Sequence, residues 1–98
     1  MKEIINQIFA IKEKCLKAEI KGLERSLDRL DFELEQKGYQ VIDPIDTIYK
    51  NEMTDLDARL NSELTAHSKI IKVLKPVIYK KDKSGEIKLV QKGIVIVD

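Results

Sequence analysis

Lys37-Gly38-Tyr39-Gln40-Val41-Ile42-Asp43-Pro44 marks the point where the hydrophobic period of this 98-residue chain changes. Before Gly38, apolar residues recur every three or four positions. After it they alternate or run together in short β-branched stretches, ending in Ile94-Val95-Ile96-Val97. The first pattern belongs to an amphipathic helix and the second to strands. Gly38 suits the left-handed residue that stops a helix, and Lys37 lies favourably against the negative end of the helix dipole. Tyr39–Ile42 then reads as a short strand, ended by Asp43-Pro44 because proline has no N–H for a ladder bond. The expected fold class is α+β. A long N-terminal helix, or helix pair, for dimerisation (residues 1–38) is followed by a small, mostly antiparallel β-domain (residues 39–98).

Upstream of Gly38, good helix formers dominate from about Glu3 to Lys37, with no proline. Leu16, Ile20, Leu23, Leu27, Leu30 and Leu34 follow the heptad spacing of a helix–helix seam. Ile4, Ile8, Ile11, Cys15 and Ala18 form a second stripe, and Phe9 extends the first one backward. The apolar face is therefore wide at the start and narrow later, as in a bundle of several helices. Gly22 is a kink, a break or a close-packing point; the sequence leaves the three open. A lone helix exposing the six seam residues would leave a large apolar stripe in water, so these six are the expected dimer interface. A compact monomer in which the β-domain covers part of the stripe is the alternative.

Downstream, Asp46 to Asp55 is polar and irregular, with Ile48, Tyr49 and Met53 as anchors onto the core. Leu56 to Leu64 fits a helix and a strand equally well. Ile70 to Lys80 is strand-like, and its Pro76 points to an edge or a bulge. Asp82-Lys83-Ser84-Gly85 is a turn, Ile87 to Val90 its return strand, and Gln91-Lys92-Gly93 a break. Ile94 to Val97 reads as a final strand buried on both faces or nearly so.

Composition narrows the function. Charged residues make up 36% of the chain, but 18 basic side chains nearly cancel 17 acidic ones, which gives no electrostatic case for nucleic acid or an anionic membrane. Cys15 is the single cysteine, so no intrachain disulfide forms, and a reducing, cytoplasmic setting is the expectation. No segment approaches the roughly 20 apolar residues that span a bilayer, and no signal peptide is read. His67 has no nearby Cys or His to share a metal, and the four glycines are too dispersed for a phosphate loop. Asp43, Asp46, Asp55 and Asp57 suit turns and caps. The expectation is an interaction protein without metal or cofactor, not an enzyme.

Three stretches resemble the GrpE family, the nucleotide exchange factors of DnaK-type chaperones. Leu23-Glu24-Arg25-Ser26-Leu27-Asp28-Arg29-Leu30, continued through Gly38 to Pro44, is similar to that family's short bundle helix passing into its β-domain. Ile70-Ile71-Lys72-Val73-Leu74 resembles the strand before its final hairpin, and Gly85 through Val97 its closing strands. Ile5 to Ala18 carries a weaker likeness to the end of the family's long helix, most of which is missing. The resemblance implies a homodimer that binds a DnaK-type chaperone and promotes ADP release. By position it assigns a basic partner contact to Lys88 and an apolar one to Val97. The second reading keeps the fold without exchange activity, as a dimeric interaction or scaffold module. A nucleic-acid-binding reading rests only on Lys80, Lys81, Lys83 and Lys88, and the near-neutral charge opposes it.

Overall fold

A computed structural model describes residues 1–98. Two helices, α1 (Lys2–Lys17) and α2 (Glu24–Gln36), precede six strands: β1 (Tyr39–Ile42), β2 (Leu56–Leu60), β3 (Ile70–Lys75), β4 (Val77–Lys81), β5 (Ile87–Gln91) and β6 (Gly93–Val97). The fold is α+β, and its N-terminal part is a helix pair, not one long helix.

The strands are built on one bent hairpin. Only Pro76 separates β3 from β4, and only Lys92 separates β5 from β6. β4 pairs antiparallel with β5 and β3 with β6, and the register runs on across the bend, from Ile78 opposite Gln91 to Lys75 opposite Ile94. Pro76 cannot donate to a ladder, so the pairing breaks there and the two halves turn into separate sheets. The edge-or-bulge reading of Pro76 thus resolves into a corner, and the Pro76 carbonyl is held by the Gln91 Nε2 amide at 2.9 Å. β1 adds antiparallel to β4, giving the sheet β1-β4-β5. β2 adds parallel to β6, giving β2-β6-β3. The ambiguous Leu56–Leu64 stretch becomes a strand over Leu56–Leu60, because β6 offers it a free edge; tertiary pairing decides where periodicity does not.

Two glycines are required by close contact. Gly38 has φ +88°, and a Cβ there would lie 2.8 Å from the Lys81 carbonyl oxygen, whose residue donates its N–H to Gly38 O at 2.9 Å. The residue that stops α2 is therefore also the one that docks the chain against β4. Gly93 sits at the bend, where a Cβ would meet Leu56 Cδ2 at 2.8 Å and Val77 Cγ2 at 2.9 Å.

Two apolar clusters fill the interior. Phe9, Leu56, Ile70, Val73, Val77, Val95 and Val97 form the larger, with Tyr49, Met53, Ala58 and Tyr79 packed around it. Ile5, Ile8, Leu34 and Ile78 form the smaller, flanked by Leu27 and Tyr39. Helix α1 reaches both, so the helical segment and the strands share their cores. β6 is buried at Gly93, Val95 and Val97 and half-buried at Ile94 and Ile96, as a central strand should be. Of the loop anchors, Tyr49 and Met53 reach the core, whereas Ile48 stays 41% exposed and only bridges to Lys69. The phenol of Tyr79 donates to Asp55 Oδ2 at 2.9 Å, and that bond holds its pKa above the ordinary range.

Two expectations fail against this packing. Val97 is 1% exposed, since β2 and β3 flank its strand and the larger cluster surrounds it, so it offers no surface to a partner. Leu34 is buried against Ile5, Ile8 and Ile78 of its own chain and is not a subunit contact.

Replacing Gly93 with Ala drives a methyl group into Leu56 and Val77. Urea denaturation is expected to show a loss of about 1–3 kcal/mol, the usual cost of overpacking a core.

Candidate interaction surface

The helix pair is shaped by its break. After Lys17 the chain closes α1 with a double-bonded C-terminal cap: Glu19 N–H donates to Leu16 O at 3.3 Å and Ile20 N–H to Cys15 O at 2.9 Å. This is the pattern in which the residue past the cap is left-handed, and here that residue is Glu19 at φ +52°. Gly22, also at positive φ, completes the turn, so its role is a break. The cap brings Ile20 back over Cys15, which keeps the apolar row on one side although the helix does not continue.

On the far side of the break, Leu23 begins α2 without a side-chain cap. Glu24 compensates by reaching back to accept the Gly22 N–H at 2.8 Å. Its own backbone N–H, and then that of Gly22, hold its carboxyl below the usual carboxylate range. Lys12 of α1 pairs with Asp31 of α2 and ties the helices together across the gap. Within α2, Arg29 pairs with Glu33 at 3.1 Å and lies over the Phe32 ring.

Between the helices run two clefts that share Lys12 and Leu16. One, of about 200 Å³, is lined by Cys15, Leu16, Ile20, Leu23 and Leu27. The other, of about 680 Å³, opens between α1, α2 and β1, over Phe9, Leu34, Tyr39, Val41 and Ile45. Cys15 is half-buried in the first cleft.

The six seam residues therefore separate into two groups. Leu34 is buried and Leu27 half-buried within the chain's own smaller cluster. Leu16, Ile20, Leu23 and Leu30 remain in solvent, with Leu16 79% exposed. The sequence reading missed Phe32, which is exposed and falls on neither apolar stripe, and Ile11 of the second stripe is exposed as well. The helices carry opposite charge: four lysines against two glutamates on α1, and five acidic side chains against two arginines on α2.

Lys88 lines neither cleft and is exposed on β5. The hairpin that presents it is closed by Asp82, whose Oδ1 accepts from the Ser84 hydroxyl at 2.6 Å and from the Ser84 and Glu86 N–H groups at 2.9 and 3.0 Å. The Ser84 hydroxyl bond is the main cause of its lowered pKa. His67 is exposed in a loop, where its N–H donates to Thr65 Oγ1. No group of three or more His, Cys, Asp or Glu side chains gathers as a metal site. No helix is long and apolar enough to cross a membrane.

Glu19→Gly removes the penalty of a side chain at positive φ. It is expected to gain about 1 kcal/mol, which raises the thermal midpoint of a domain this size by about 4–8 °C. The Glu24 carboxylate, with its folded pKa depressed, stabilises the break at pH values above the unfolded value of about 4.3. That contribution fades as pH falls through the lower folded value. Between neutral pH and about pH 3, Glu24→Gln is expected to lose less stability than the wild type, measured as the shift in urea midpoint.

The chain matches no protein-family model, no curated protein and no solved structure.

Proposed function

We propose that this chain is a protein-interaction module, not an enzyme, and that it pairs with a second copy of itself through the exposed side of the helix pair. The observation that carries this reading is the row Leu16, Ile20 and Leu23, left in water while lining an apolar cleft, with Leu30 exposed further along α2. Surface area supports it. The chain exposes 7145 Å², against about 5,700 Å² for a compact monomer of this mass. The excess of about 1,400 Å² is more than the roughly 800 Å² that one partner contributes to a standard interface. The molecule is also plate-like, 40 × 39 × 18 Å. The opposite charges of α1 and α2 supply the choice of partner. A two-fold axis across the face sets the basic helix of one copy against the acidic helix of the other.

Sedimentation equilibrium tests this. A dimer is expected for the wild type, and Leu16→Lys is expected to give a monomer with unchanged circular dichroism, since the Leu16 side chain is largely exposed and belongs to neither apolar cluster. A wild type that stays monomeric at high micromolar concentration sinks the reading.

The order of elements supports a second reading, a GrpE-like co-chaperone. A helix pair closed by left-handed Gly38 passes directly into a small β-domain, and Lys88 stands exposed on that domain's hairpin. In this reading the β-domain binds the nucleotide-binding domain of a DnaK-type chaperone, favours its open conformation and so speeds ADP release. Release of a fluorescent ADP analogue from such a chaperone is expected to accelerate and saturate with this protein. A flat response across several chaperones removes the reading and leaves the self-pairing module untouched.

A further inference from the structure

The outer edge of β5 is open. β4 pairs with it on one side and no strand lies on the other. The outer edge of β3 differs at its start, where the preceding loop occupies it: Asp46 N–H donates to Ile70 O and Ile70 N–H to Thr47 O, and just before the strand Tyr49 N–H donates to Ser68 O, each at 2.9 Å. Along β5, every residue from Ile87 to Val90 is exposed, and three of the four are apolar: Ile87 at 59%, Leu89 at 41% and Val90 at 37%. Apolar side chains beside unpaired backbone N–H and C=O groups form a template for an added strand.

Charge decides what that strand is. Between Lys80 and Lys92 the hairpin holds five lysines against Asp82 and Glu86. Asp82 is already engaged by the turn. A second copy of β5 would set one basic hairpin beside another, and like charges opposed across strands are unfavourable. A nucleic acid fits less well than a peptide. Its phosphates accept hydrogen bonds but cannot answer the strand's C=O groups, and the whole chain carries a net charge of only +1.

We propose that the β5 edge takes up an extended acidic peptide segment as an added strand, one in which Asp or Glu alternates with apolar residues. The apolar side chains cover Ile87 and Leu89, and the carboxylates sit beside Lys88 and the lysines of the turn. This site is separate from the helix face and does not depend on self-pairing there.

The probe is a fluorescein-labelled peptide alternating Val and Glu, followed by anisotropy, with amide chemical shifts and hydrogen exchange recorded on the wild-type protein. Binding is expected to slow exchange at the β5 amides and to weaken with added salt. Lys88→Glu is an exposed change that leaves the fold intact by circular dichroism, and it is expected to lower affinity at least ~10-fold. A peptide with Lys in place of Glu is expected to bind at least ~10-fold more weakly. The proposal is overturned by equal binding of the Lys peptide, by shifts that miss β5, by no binding at millimolar peptide, or by a single-stranded oligonucleotide binding more tightly than the Glu peptide.

Discussion

The close approach of Gly93 to Leu56 and Val77 is the constraint on which the rest of this structure depends. It lets the hairpin fold over at Pro76 and Lys92 without opening its interior. The bend then splits one ladder into two sheets with two separate apolar faces. Each half finds a third strand: β1 on the free side of β4, and β2 on the free side of β6. Gln91 fixes the corner from within. Its Nε2 donates to the Pro76 carbonyl and to Asn6 Oδ1, while its Oε1 accepts from Asn6 Nδ2. One amide thereby joins the bend, β5 and helix α1, and a half-buried polar side chain with all these partners fixes position more than it adds stability.

Most of the strand architecture was legible in the sequence because its signals are local. Gly38 as a helix stop, Asp82–Gly85 as a turn and Ile94–Val97 as a buried strand each follow from a residue type with few conformational options. The helix break was left open among three readings of Gly22, for the same reason in reverse. The first of its two positive-φ residues is Glu19, a side chain that rarely adopts that conformation, and the leucine heptad continues through the break as if nothing happened. Val97 shows a different blind spot. A valine near the end of a strand reads alike whether it faces a partner or lies in the core. Only the pairing of β6 on both sides, through a parallel ladder from β2 that no local pattern announces, makes it core.

The candidate surface was legible by half. Periodicity found the row of leucines but not which of them the chain keeps for itself. That division comes from tertiary packing: Ile78 of β4 draws Leu34 inward together with Ile5 and Ile8, while Leu16 and Ile20 stay outside both apolar clusters and line only the open clefts. The exposed apolar side chains of β5 were invisible at the same stage, since an edge strand and an inner one share the same alternation.

The contact between Asn6 and Gln91 spans 85 positions of the chain. With Phe9 and Ile5 completing the two apolar clusters, α1 has no core of its own until β4 and β6 exist. During synthesis this helix must wait, with its apolar side uncovered, while nearly the whole chain emerges. Contacts so distant in sequence cost loop-closure entropy before they return any stabilisation, which makes folding slow for a chain of this length. In the living cell α1 is thus the segment most open to capture by other chains before folding is complete, and the speed with which the bent hairpin forms sets how long that exposure lasts.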